Sequence, residues 1–462
     1  MKLAGRALLV VAITFALAPT TRADDEPANA PAPAAGESAS GGGGATLAPG
    51  ATLGQDNWQS AENLLPPEIL KHYREGGFKN KIVAWPAKSF RWETAFEEAT
   101  LTNRGKYDVN DAGTIIDKST GKQPPYVYGF PFPDVDAKDP KAAAKILWNS
   151  YYGYWYLGNS HNDVRVVWVN PDGVDREAGQ DVFFMYYDGQ SEPYRVPNPQ
   201  NLLMQFIATA TYPTDLQGTT ALSWRYRDPD KRDSNWAYVP SLRRTRAVSP
   251  SNRSDGFLGS DLSQDDGPFF DGKPEDFEWK LIGSTDQLRY ADPMSLEGKS
   301  EVRWLPGGGW RTIWDKNLPA AGFQDPNWKG IAWAPVGPQL AKRPMWVLEA
   351  TPKDKYYLYG KVQLFIDKET YQGAFNRKFN WQGDLMNTYL IMGFLSHKHV
   401  RPDGREDWLW GSNMGYQTAE NIKMNRATVS GLEAPSKDVA NDRRIPYDPA
   451  FFDFNTLQRF GK

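Results

Sequence analysis

The sequence predicts a β-rich α+β protein whose body is one large, curved antiparallel sheet. Three observations carry that reading. After Gly158, short runs of β-branched and aromatic residues recur between turn signals. Several of those runs are apolar at adjacent positions, so both faces of the sheet are buried, under helices or around a cavity. One stretch, from Pro140 to about Tyr156, has clear helical spacing instead.

At the N-terminus, Lys2 and Arg6 precede an apolar run from Ala7 to Ala18, followed by Thr21-Arg22-Ala23. This pattern reads as a cleavable secretory signal over residues 1–23, because roughly a dozen apolar residues are too few to span a bilayer. Residues 24–53 are Ala, Pro, Gly and Ser, with Gly41 to Gly44 in a row, and offer almost nothing to bury; they read as a disordered tether. Residues 54–462 then form the β-rich domain with a C-terminal extension. Ser60 is placed to cap a short helix that Pro66-Pro67 interrupts and that resumes from Glu68 to Glu75, ahead of Gly76-Gly77.

In the helix predicted from Pro140, Asp139 is the N-cap and Pro140 the first helical residue. Ala144, Leu147, Trp148, Tyr151 and Trp155 then share one aromatic face. Strands follow at Val164–Val169, Val182–Tyr187, Leu202–Tyr212, Thr219–Tyr226 and Trp236–Val239. More are expected at Phe277–Ile282, Val302–Leu305, Trp310–Trp314, Met345–Ala350, Tyr356–Asp367 and Gly373–Trp381. No fixed-period repeat is present, which disfavours a propeller or solenoid.

The chain has no cysteine, so disulfides, thiolate chemistry and an acylation cysteine are all excluded. Lys2, Arg6 and Arg22 leave with the signal, so 53 Lys+Arg becomes 50 against 56 Asp+Glu, a net of −6. That balance argues against nucleic acid as a partner. The informative excess is aromatic: 18 Trp, 22 Tyr and 22 Phe supply rigid surfaces suited to cores and apolar clefts.

Catalytic and metal signatures are weak. His397 and His399 alternate along the chain, but spacing supplies no third ligand. No Gly-x-Ser-x-Gly elbow occurs, and Leu157-Gly-Asn-Ser160-His161 reads as a loop. Asp261, Asp265 and Asp266 fall short of a calcium loop, because the glycine comes late and the closing glutamate is missing, so this segment reads as a solvated turn. No catalytic residue, metal site or cofactor is expected.

The most distinctive stretch runs from Asp233 to Asp261. It contains Trp236 and Tyr238, then Arg243, Arg244 and Arg246, then Asp255, Phe257 and Asp261. In one strand Arg244 and Arg246 point the same way and Arg243 the other, and either set is placed to pair with Asp255 or Asp261. The two readings are a salt-bridged hairpin and a rim that holds an anionic head group or partner protein.

Here the chain resembles a family of secreted bacterial proteins known as domain of unknown function 1329, itself similar to the LolA and LolB lipoprotein carriers. Further matching stretches are Tyr128-Gly-Phe-Pro-Phe-Pro133, Ile146-Leu-Trp-Asn149 and Tyr359-Gly-Lys-Val-Gln-Leu-Phe-Ile-Asp367-Lys-Glu-Thr-Tyr371. The resemblance spans about Leu64 to Phe452. It implies a LolA-like half-open barrel with helices on its concave, ligand-receiving face. It also implies a periplasmic setting, associated with the outer membrane, beside an inner-membrane exporter and an outer-membrane partner.

Together these readings describe a periplasmic carrier or chaperone for a hydrophobic small molecule or lipid, serving an envelope export system. The expected ligand contacts are Trp236, Tyr238, Arg243, Arg244, Arg246, Asp255, Phe257 and Asp261, with Trp148, Tyr151 and Trp155 forming the helix lid. Two alternatives stay open: a periplasmic hydrolase using paired carboxylates among Asp255, Asp261 and Asp265, and an envelope scaffold.

Overall fold

A computed structural model describes residues 47–86, 91–432 and 441–460. The expected signal and residues 24–46 of the expected tether lie outside them. Order begins earlier than position 54: Thr52–Leu53 pairs with Asn80 and Lys81, and Leu53 is fully buried. A lone leucine in a polar stretch gave no sign of that burial.

The central feature is an 18-stranded sheet among the described residues, most of whose strands form two meanders. The first comprises Ser160–Asn170, Gly173–Tyr186, Leu202–Tyr212, Thr220–Tyr226, Ser234–Val239 and Arg244–Val248. The second comprises Phe277–Ala291, Gln339–Pro352, Lys361–Asp367, Gly373–Phe379, Leu385–Ile391, Gln417–Asn421 and Arg426–Leu432. They join antiparallel where the first strand of one meets the last of the other, with Ala427 opposite Val169 and Ser430 opposite Val166. The outermost strands, Arg244–Val248 and Phe277–Ala291, are therefore consecutive along the chain but not paired with each other among the described residues. Residues 249–276 bridge them, so the curved sheet is a barrel left open and strapped by a loop instead of closed by strands.

The sheet is mixed rather than purely antiparallel, since Leu340 and Ala341 pair in parallel with Ile82 and Val83. Alternation sorts its residues onto two faces. Outer-face Val167, Val169, Phe365 and Phe375 pack under the helix Pro67–Arg74, pinned by Glu68 to Arg377 at 2.7 Å and His72 to Glu420 at 2.8 Å. Outer-face Phe183, Met185 and Leu222 pack under Phe452 and Leu457 of the C-terminal extension. The inner face receives the helix Ala142–Trp155, whose Leu147, Trp148, Tyr151 and Trp155 are buried as their spacing predicts. The helix Pro67–Arg74 caps the opposite face.

The Ala142–Trp155 helix starts two residues later than predicted. Asp139 caps the turn ahead of it, its carboxylate accepting from the Lys141 amide at 2.8 Å and its carbonyl from Ala142 at 2.9 Å. Ser160 and His161, expected in a loop, open a strand; His161 stacks on Phe183 and bonds Asp181 at 2.8 Å.

His397 and His399 sit in the hairpin of Ser396–Val400 with Glu406–Trp410, and their Nε2 atoms are buried without partners. No metal-holding group of three or more such side chains exists among the described residues. Burial, with His397 adding repulsion, lowers His399 to about 4. The unfolded chain therefore takes up that proton first, near pH 6.5, and stability falls as the pH drops from there toward 4. In melts at pH 7 and pH 4.5, His399→Gln should lose less stability than wild type, by on the order of 1 kcal/mol after allowing for the ring's partial exposure. Equal losses would remove His399 as the cause.

Candidate ligand-binding cavity

Because residues alternate along each strand, the inner face presents every second side chain to the strap. Val164 and Val166, Val182 and Phe184, then Met204, Phe206 and Ala208 form three adjacent rows. The second meander adds Tyr389 and Ile391, and the turns beyond it add Met392, Phe394, Met414 and Tyr416. The strap closes over them with Phe257, Leu262 and Pro268. Between the two lies a cavity of about 300 Å³. A second chamber of about 90 Å³, walled by Tyr151, Trp155, Tyr186, Phe269 and Phe270, shares Tyr154, Phe184 and Trp410 with the first. Met204, Met392 and Met414 let the lining adapt, since methionine side chains are unbranched and polarizable.

The strap is held down by charge. Arg253 reaches Asp265 at 2.7 Å, Asp271 at 2.8 Å and Asp233 at 3.5 Å. Arg225, almost fully buried on Thr220–Tyr226, meets Asp233 at 3.0 Å and Asp271 at 3.2 Å. Tyr357 donates to Asp265 at 2.8 Å, tying the strap to the second meander as well. Burial holds the Asp271 carboxyl above its ordinary value even with Arg225 and Arg253 beside it. Asp266 pairs with Lys378. The acidic segment is thus no solvated turn: Asp261, Asp265 and Asp266 are buried, each against a cation.

At one end the lining turns polar, where Ser160–Asn170, Asn441–Arg443 and Trp310–Ile313 run side by side. Asn162, Asn441, Arg443 and Thr312 converge there, with Gln180 diagonally across from Asn162. Burial raises the neighbouring Tyr154 phenol, with Arg443 opposing, so that group is a neutral hydroxyl.

The family model for a protein of unknown function, DUF1329, matches residues 52–458. The chain belongs to that family. A search of curated proteins gives no match. Among solved structures, a DUF1329 family protein from Desulfovibrio piger is similar, with 17% identity, 69% of this chain and 100% of that one covered, and a TM-score of 0.43. A domain from Vibrio parahaemolyticus assigned to outer membrane lipoprotein sorting has 15% identity, 70% and 100% coverage, and a TM-score of 0.44. A LolA superfamily protein from Nitrosomonas europaea has 13% identity, 68% and 98% coverage, and a TM-score of 0.38.

In this DUF1329 chain the residues expected to touch ligand are scattered. Phe257 lines the larger chamber, and Tyr151 and Trp155 the smaller. Trp148 is buried and donates to the Gly113 carbonyl at 2.8 Å. Trp236 and Tyr238 lie with the outer-face cluster, where Trp236 packs edge-on against Trp224 and Phe454, because their register turns them away from the cavity. Arg244 and Arg246 are exposed on the edge strand, and Arg243 precedes them in a left-handed turn with φ 48°. Neither set pairs with Asp255, which is exposed, or with Asp261, whose carboxylate is taken by Arg426 at 3.1 Å. The expected Arg/Asp rim does not form, since Asp261 is paired with Arg426, a partner distant in sequence. Of the carboxylates expected for hydrolysis, Asp265 is saturated by Arg253 and Tyr357, and none of Asp255, Asp261 and Asp265 lines the cavity. Tyr154 and Arg443 also line the larger chamber. Tyr154 stands beside the helix's aromatic row, between Tyr151 and Trp155, whereas Arg443 lies in a polar stretch without periodicity that gives no signal in the sequence.

Proposed function

We propose that the protein is a periplasmic carrier that takes one hydrophobic or lipid-like molecule into this cavity and serves an envelope export system. The observation that supports it is a mostly apolar, methionine-containing cavity on the inner face, under a strap that no strand pairing locks shut. Its volume is about twice the ~150 Å³ of an apolar cavity that accepts benzene, which suits one ring system or one chain better than a two-chain lipid. At about 25 cal/mol per Å² of apolar surface, one chain is enough for micromolar binding.

The test is native mass spectrometry of protein purified from periplasm, wild type beside Ala208→Trp. Wild type should carry an extractable hydrophobic molecule, and Ala208→Trp should lose at least about nine-tenths of it while paying only the 1–3 kcal/mol typical of overpacking. A wild type free of any such molecule, or full occupancy in Ala208→Trp, would sink the proposal.

A further inference from the structure

Three charged side chains line the larger chamber, and two are matched. Asp266 has Lys378, and Asp271 has Arg225 and Arg253. The third, Arg443, is half-buried. Its guanidinium donates to Asn162 Oδ1 at 2.6 Å, Asn441 Oδ1 at 3.0 Å and the Asp442 carbonyl at 3.5 Å, all neutral oxygens. Among the described residues no carboxylate pairs with it. Its neighbours contrast: Arg444 is paired with Glu93, and Arg311 with Asp442 at 2.5 Å. A half-buried cation whose protein partners are amide oxygens alone keeps its charge uncompensated and available to another partner.

A second, independent feature lies in the same chamber. Gln180 Nε2, on a residue only 6% exposed, and Trp314 Nε1 are buried donors with no hydrogen-bond partner. Buried donors left unsatisfied are costly and rare, and these two, like Arg443, ask for an acceptor. Apolar Val182, Phe184, Met204 and Phe206 continue away from that polar end.

We infer that the occupant is a single-chain amphiphile with an anionic, acceptor-only head, a carboxylate or phosphate, which Arg443 binds while the chain lies along Val182, Phe184 and Met204. This rests on the carrier reading and names its ligand class. Guanidinium binds such heads through paired N–H donors, so the preference for a charged head over a neutral one resides in Arg443, beside the neutral donors of Gln180 and Trp314.

Titration of the full mature protein with dodecanoate, dodecyl phosphate and dodecanol, followed by tryptophan fluorescence, tests it. In wild type at least one anionic probe should bind about tenfold or more tighter than dodecanol. Arg443→Gln should bring the probes to within about twofold while dodecanol affinity is unchanged, which also shows that the variant is folded; Arg443→Lys should keep part of the preference. Equal affinities in wild type, or a preference that survives Arg443→Gln, overturn the anionic-head inference and leave the carrier reading standing. Failure of all three probes to bind overturns the single-chain inference, while the carrier reading stands or falls with the native mass spectrometry of the periplasmic protein.

Discussion

Arg253→Ala is expected to cost about 3–5 kcal/mol of stability, the range for removing one partner from a buried ion pair. Arg253 is 7% exposed and touches Asp265, Asp271 and Asp233 together. After its loss Asp271 and Asp233 still have Arg225, whereas Asp265 has only the Tyr357 hydroxyl and remains a nearly bare buried charge. Urea unfolding read by tryptophan fluorescence measures the loss. Adding Asp265→Asn should then restore at least about 1 kcal/mol, because neutralising the orphan removes its desolvation cost. A variant within 1 kcal/mol of wild type, or a double variant showing the plain sum of two losses, would mean that the network does not hold the strap.

That network also shows where sequence reading stopped. The meander strands were legible because burial and alternation are local: Leu202–Tyr212 lies where its pattern placed it, and Thr220–Tyr226 differs by one residue. Phe277–Ala291 was cut short at Ile282 because polar residues and Gly283, where the pairing register shifts, break its pattern. Gln417–Asn421 and Arg426–Leu432 were missed for a related reason: Thr, Ser, Gln and Asn fill positions that close against neighbouring strands. The aromatic helix was legible down to its buried face. Partners across the sheet were not, since Asp261 meets Arg426 over a separation of 165 residues and Arg443 meets Asn162 over 281. Local charge grouping favoured Arg243, Arg244 and Arg246, yet the strap carried Asp261 to another strand and left those arginines at the edge. The cavity itself arises from which strands become neighbours, so only its rows, not its closure, can be read from spacing.

Gly415→Ala is expected to be the most damaging single methyl group added near the cavity. A Cβ at Gly415 would stand 1.6 Å from the Gly431 carbonyl oxygen and 2.6 Å from its carbon, backbone atoms that cannot swing aside as a side chain does. Gly431, with φ +76°, lies at a shift in register between Ser430 and Leu432 where their strand pairs with Ser160–Asn170. The two glycines line the same chamber, and the close approach of their backbones shapes its wall. Making room means moving a strand that joins the two meanders, so the cost should reach about 3 kcal/mol or more, the upper part of the range for overpacking. Gly431→Ala sets the scale for strain alone: its Cβ meets only the flexible Gln417 side chain at 3.4 Å, leaving the left-handed backbone penalty of about 1–2 kcal/mol. Urea unfolding of the two variants should therefore rank Gly415→Ala below Gly431→Ala. The reverse order would show that backbone conformation, and not the contact between the two chain segments, sets the geometry of this wall.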